Sequence, residues 1–129
     1  MNPLHPTEGE LAILRVLWSR KAPMTVREVH EVLSRGKDTA YTTVLKMLTI
    51  MAEKGLVSRD ESERSHSYRA LHEEPAVQAS MLKDLVRRAF SGSALTLVQR
   101  ALDDETASSE DLDAISKMIA EAKARRKAD

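Results

Sequence analysis

The sequence predicts a mainly helical fold with one small β-hairpin, and three observations carry that expectation. Only 3% of the 129 residues are aromatic, namely Trp18, Tyr41, Tyr68 and Phe90. The core must therefore be built from Leu, Val, Ile, Met and Ala, which favours packed helices. Thr7-Glu8-Gly9-Glu10 and Thr25-Val26-Arg27-Glu28 are capping boxes, each opening an apolar run of helical spacing. Between residues 56 and 71 the periodicity changes to two short strand-like runs about a polar tip.

The first helix starts at the Thr7 box, carries Leu11, Leu14, Leu17 and Trp18 at helical spacing, and stops at Lys21-Ala22-Pro23. Pro23 cannot continue the hydrogen-bond ladder. The second helix starts at the Thr25 box, with Val26, Val29 and Leu33 as its apolar stripe. Arg35-Gly36 closes it, Gly36 being suited to a left-handed cap. The third runs from about Ala40 to Lys54 and ends at Gly55. Val44, Leu45, Leu48, Met51 and Ala52 form its expected buried face, Thr42, Lys46, Thr49 and Glu53 its polar one, with Thr43 on the flank. Leu56 to Asp60 and His66 to Leu71 read as strands, with Glu61-Ser62-Glu63-Arg64-Ser65 as the hairpin tip. Helix, helix, helix, hairpin is the order of a winged helix-turn-helix.

His72-Glu73-Glu74-Pro75 is a polar joint, Pro75 fitting a first helical turn. Three more helical patterns follow. The first carries Val77, Met81, Leu82, Leu85, Val86 and Ala89 and breaks at Ser91-Gly92-Ser93. The second holds Leu95, Val98, Ala101 and Leu102 and gives way to the acidic turn Asp103-Asp104-Glu105. The third is capped by Ser108 with Asp111 and carries Leu112, Ile115, Met118 and Ile119. Its charged end, from Lys123 to Asp129, is expected to fray, and its basic residues suit a helix C-terminus. The expected organisation is a winged-helix DNA-binding domain over residues 1–72 and a three-helix dimerisation domain over residues 73–129.

The second half explains the word dimerisation. It has one aromatic residue and no disulfide, so it buries too little surface to be comfortably stable alone. Its helices nevertheless carry full apolar stripes. Leu82, Leu85, Val86, Leu95, Val98, Leu102, Leu112, Ile115 and Ile119 are expected to pack against the same segment of a second chain. Folding back onto the first domain is the alternative.

Composition excludes several classes of function. With no cysteine there is no disulfide, thiolate zinc site, iron–sulfur cluster or cysteine nucleophile. No apolar run approaches the ~18 residues of a membrane span. The start, Met1-Asn2-Pro3-Leu4-His5-Pro6, has neither a basic nor an apolar leader region. A cytoplasmic protein is expected. Catalysis has little to stand on. His5, His30, His66 and His72 lie in different elements, and no two are spaced i, i+4. His66 and His72 bracket a strand and are read as surface histidines in preference to a metal pair. There is no glycine-rich phosphate loop. No catalytic residue, metal or cofactor is expected.

Net charge is zero, with 20 Lys+Arg against 20 Asp+Glu. The sum hides two unlike halves. Residues 1 to 72 hold 11 basic and 9 acidic residues, and residues 73 to 129 hold 9 and 11. The balance argues against a purely electrostatic DNA binder and does not exclude a base-reading one.

In a winged helix the third helix enters the major groove, whose edges distinguish all four base pairs. The exposed start of this helix offers Tyr41, Thr42, Thr43 and Lys46, and the wing offers Arg64, Ser65 and His66. Threonine suits base edges, phosphates or a thymine methyl, and lysine suits guanine or a phosphate. Arg27 is a further candidate for a phosphate. The same residues also have ordinary uses: Tyr41 in packing, the threonines in capping, Lys46 and Arg64 in solvation. A winged-helix protein-interaction module is the rival function, and its third helix would expose acidic or apolar residues instead.

The residues resemble a known family. Thr7 to Trp18 (TEGELAILRVLW) is similar to the opening helix of the BlaI/MecI penicillinase repressors. Thr25-Val26-Arg27-Glu28-Val29 resembles the second helix of those proteins. Ala40 to Leu48 (AYTTVLKML), followed by Glu53-Lys54-Gly55-Leu56-Val57, is similar to their recognition helix and first wing strand. The resemblance implies a homodimeric repressor on inverted-repeat operators, typically built on TACA and TGTA half-sites, of β-lactam-resistance or related stress genes. It also implies a membrane sensor with a zinc-protease domain that relieves repression by cleaving the dimerisation region. The better-known members are cut at an Asn-Phe bond in the helix corresponding to Leu95–Leu102. Arg100-Ala101 is the nearest counterpart here and marks the implied cleavage region. The copper-responsive branch uses Cys-x-Cys motifs, which this chain lacks.

Overall fold

The computed structural model describes residues 4–128. The described residues form α1 (Glu8–Arg20), β1 (Met24–Thr25), α2 (Val26–Gly36), α3 (Tyr41–Lys54), β2 (Val57–Asp60), β3 (Ser67–Ala70), α4 (Glu74–Ala89), α5 (Ala94–Asp103) and α6 (Ser109–Ala128). The expected mainly helical fold with a small hairpin is what the chain adopts. Met1–Pro3, on which part of the reading of the N-terminal segment rests, lie outside the described residues, as does Asp129.

Both capping boxes close reciprocally. Thr7 Oγ1 accepts the Glu10 N–H and Glu10 Oε1 accepts the Thr7 N–H at 2.9 Å. Thr25 and Glu28 do the same at the start of α2. A salt bridge of 2.9 Å from Arg20 to Glu28 joins the end of α1 to that box. The Thr25 N–H, before burial or any charge, decides the Glu28 carboxyl, which sits below its ordinary pKa.

The first helix ends where expected, and the second ends differently. Lys21, at φ 56°, is the left-handed cap of α1, two residues ahead of Pro23. Gly36 is the last residue of α2 and is not a left-handed cap; the chain leaves through an extended Lys37. Gly55, at φ 83°, does cap α3 as expected.

The sheet has three strands in the order β1-β3-β2, all antiparallel. The hairpin expected from the sequence is β2 and β3, and β1 adds to its free edge. At two residues, β1 is too short to show an alternating pattern. Tyr68 is the centre of this sheet. It pairs with Met24 on one side and Arg59 on the other and is 1% exposed. At the tip, the Ser62 N–H donates to Asp60 Oδ1 at 2.9 Å, a turn that keeps the six-residue loop short.

One core lies under α1, α2, α3 and the sheet. It holds Ile13, Leu14, Leu17, Met24, Val29, Val44, Leu48, Met51, Leu56, Val57 and Tyr68. Leu45 is not part of it: the side chain is 42% exposed, a correction to the expected buried face of α3. Met47, on the other flank, packs against the core instead. Trp18 is half-buried and donates its indole N–H to the His72 carbonyl at 2.9 Å, tying α1 to the joint before α4.

The chain forms two compact units, residues 1–83 and 84–129, and the boundary falls within α4. Val77 is 1% exposed, so the first turns of α4 belong to the core of the first unit. In the second unit, Ser91 and Gly92 both take positive φ, which turns the chain where the break was expected. Ser93 and Ser108 cap the helices that follow, Asp111 completing the second cap reciprocally. α6 continues to Ala128. α5 and α6 contain no buried residue.

Candidate nucleic-acid interface

The start of α3 is left open. Its N-cap is Ala40, whose side chain cannot accept a hydrogen bond, so no side chain caps the Tyr41 and Thr42 N–H groups, while the Thr43 N–H bonds back to the Ala40 carbonyl at 3.1 Å. Thr42 and Thr43 are both exposed, and neither caps the helix. An uncapped, positively polarised helix end is suited to a phosphate.

What holds that end in place is His30, on α2. Its Nε2 lies 2.7 Å from the Thr39 carbonyl, one residue ahead of the N-cap. Its ring also meets Tyr41 edge to face, with centroids 5.7 Å apart. Tyr41 thus packs on the second helix and remains 45% exposed. Nothing in the spacing of His30 and Tyr41 marks them as partners. The contact arises because the short turn between α2 and α3 folds one helix back across the other.

Lys46 is exposed and has no ion pair among the described residues. Thr49, on the same expected face, is half-buried and spends its hydroxyl on the Leu45 carbonyl at 2.8 Å. Arg27 is exposed on α2. In the wing, the acidic neighbours of Arg64 are partly accounted for. Glu61 pairs with Arg59 at 2.8 Å, and both the Tyr68 hydroxyl and Glu61 favour the charged guanidinium of Arg59. Arg64 has no such pair among the described residues and stays exposed with Ser65 and His66.

The fold brings the helix and the wing together. Tyr41, Leu45, Arg64, Ser65 and His66 line one groove of about 230 Å³, with Val26 and Tyr68 also in its wall. Four of the seven residues expected from the sequence therefore meet in one place, and Leu45 joins them unexpectedly. Thr42, Thr43 and Lys46 are not in the lining but are exposed on the same helix. His66 and His72 lie at opposite ends of β3, which separates the pair, and no cluster of three metal-ligating side chains occurs among the described residues.

The residues named for dimerisation are largely uncovered. Leu82 (50%), Leu85 (49%) and Leu95 (80%) are exposed, as are Val98, Leu102, Leu112 and Ile119. Val86 and Ile115 are half-buried. Arg100 and Ala101 are exposed on α5. No helix among the described residues is long and apolar enough to cross a membrane.

A family model described as penicillinase repressor matches residues 6–121. The transcriptional regulator BlaI of Mycobacterium tuberculosis is 36% identical over 116 residues, which span 89% of this chain and 83% of that protein. The methicillin resistance regulatory protein MecI of Staphylococcus aureus is 19% identical over 113 residues, 88% of this chain and 91% of that one. Among solved structures, RosR of H. salinarum aligns with a TM-score of 0.51 at 17% identity, over 93% of this chain and 96% of that chain, a likeness of fold alone. With a capped three-helix unit, a wing beside an open third helix and these relatives, the chain belongs to the penicillinase-repressor family, BlaI and MecI among them, whose members are DNA-binding transcriptional repressors and not enzymes.

Proposed function

We propose that the protein is a homodimeric repressor that binds an inverted-repeat operator, one half-site for each winged-helix domain. The observation that carries this reading is the convergence of α3 and the wing. Tyr41, at the uncapped start of α3, lines one groove with Ser65, His66 and Arg64, which has no ion pair among the described residues. Thr42, Thr43 and Lys46 continue the exposed surface along the helix. In this reading α3 enters the major groove, and the wing lies against the sugar–phosphate backbone. The excess of two basic residues in residues 1 to 72 is small, so base contacts supply much of the discrimination.

The second unit supplies the dimer. A segment with no buried residue in two of its helices does not stabilise itself, and its apolar stripes need a partner. A second copy offers the matching surface under twofold symmetry. Relief of repression by a membrane sensor protease that cuts near Arg100-Ala101 is part of the same proposal, and the resemblance to the BlaI/MecI repressors supports it. Both residues sit in helical backbone, so α5 must open locally before a protease can hold it. The genes controlled are proposed to be β-lactam-resistance or related stress genes.

The test is a gel shift with the promoter region of the protein's own gene at two salt concentrations. A specific complex that weakens as salt rises is expected. Absence of any complex at low salt would favour the protein-interaction module.

A further inference from the structure

Leu45 is out of place for a core residue and in place for something else. It is 42% exposed on α3, one turn beyond Tyr41, which is 45% exposed. At a spacing of i, i+4 the two side chains share a face of the helix. Both line the groove shared with the wing, whose wall includes the buried Val26 and Tyr68 and whose polar members are Arg64, Ser65 and His66. The result is a pair of apolar side chains at the edge of a mostly polar groove that contains Arg64, with Lys46 next along the chain.

We propose that Leu45 and the Tyr41 ring form a seat for the 5-methyl group of a thymine, which makes Leu45 a specificity-determining residue. The inference rests on the reading that α3 enters the major groove. Among the base edges displayed there, the thymine methyl is the apolar group, and an apolar side chain is its complement. The neighbouring charge fits the same occupant. Arg64 matches the phosphates that flank a base in a duplex and would be a poor neighbour for an apolar protein segment.

The experiment uses the full chain and a duplex from its own promoter, with the bound site first located by footprinting. Each thymine of the site is then replaced in turn by deoxyuridine, which removes only the methyl group. Wild-type affinity is expected to fall about fourfold at one thymine in each half-site, the worth of one buried methyl. Leu45→Ala is expected to bind the unmodified site more weakly and to lose its sensitivity at that same thymine. Leu45→Met, which stays apolar, is expected to keep it. Both variants should melt with wild type, because the side chain is outside the core. If every deoxyuridine duplex binds wild type and Leu45→Ala in the same ratio as the parent site, the thymine seat is wrong while the DNA reading stands. If wild type binds no promoter duplex, both fall together.

Discussion

At the scale of single residues, Lys46 and Glu10 show how differently two charges in one small domain are used. Lys46 is exposed and unpaired among the described residues, so Lys46→Ala should leave the thermal midpoint unchanged. Its effect belongs to operator binding. Loss of a base contact is expected to cost about 1–3 kcal/mol and to relax preference at one base pair. A uniform loss across sequences, with a salt slope shallower by about one, would assign Lys46 to a phosphate instead. Affinity equal to wild type would remove it from the interface. Glu10 is the opposite case, being 5% exposed. Burial pushes its carboxyl up. The 2.8 Å bond from Lys54, the Thr7 N–H, the Lys54 charge and the Thr7 hydroxyl outweigh burial and hold it below its ordinary value of 4.5. A lowered folded pKa means that the carboxylate adds stability above the unfolded value and loses it as pH falls through the folded one. Glu10→Gln keeps an acceptor for the Thr7 N–H but removes the charge that Lys54 meets, and should therefore destabilise the domain by about 1–2 kcal/mol at pH 7. The gap from wild type should narrow below about pH 4. Urea titrations at both pH values measure it, and a gap independent of pH would show that charge is not what Glu10 contributes.

At the scale of elements, the same Glu10 and its neighbour Gly9 lock the start of α1 to α3. Glu10 reaches Lys54 at the end of α3, and a Cβ on Gly9 would stand 2.7 Å from Met47 Cε. That atom is the free end of a flexible side chain. Gly9→Ala should therefore fall within about 0.5 kcal/mol of wild type, as the gain from replacing a helical glycine offsets the shift of Met47. Gly9→Val adds branched bulk that the seam has no room for and should cost about 1–3 kcal/mol. Chemical denaturation of the two variants distinguishes a seam that yields from one with slack, which would accept both. The sequence made this element order legible because caps and periodicity are local. Thr7, Thr25, Gly55, Ser91-Gly92-Ser93 and Ser108 each mark a boundary through bonds made within a few residues. What it left hidden was decided at a distance. β1 exists only because Met24 lies beside Tyr68. A helical period defines a face but not its width, so Leu45 lies outside the core while Met47, on the other flank, packs against it. His30 supports the candidate site through Thr39 and Tyr41, across a turn whose geometry no spacing rule gives.

At the scale of the whole molecule, the two compact units make a prediction about where the chain can be divided. Val77 is buried with the first unit, and the boundary lies at residue 83. A fragment of residues 1–83 should fold cooperatively. A fragment of residues 1–72 loses the cover that Val77 provides and should be less stable by roughly 1.5–3 kcal/mol. Neither fragment retains α5 and α6, the helices without buried residues. In the proposed dimer those helices turn the second half-site contact into an intramolecular step, with an effective concentration on the order of millimolar. Both fragments should therefore bind a single half-site nearly as well as the full chain does, yet fall behind it by about a hundredfold or more on the complete operator. The full chain should also melt at higher temperature as its concentration rises, because association stabilises the folded state by mass action. A fragment of residues 1–83 that matched the full chain on the complete operator would separate DNA binding from the second unit. A full chain that sedimented as a monomer at micromolar concentration would leave its exposed leucines to some other partner.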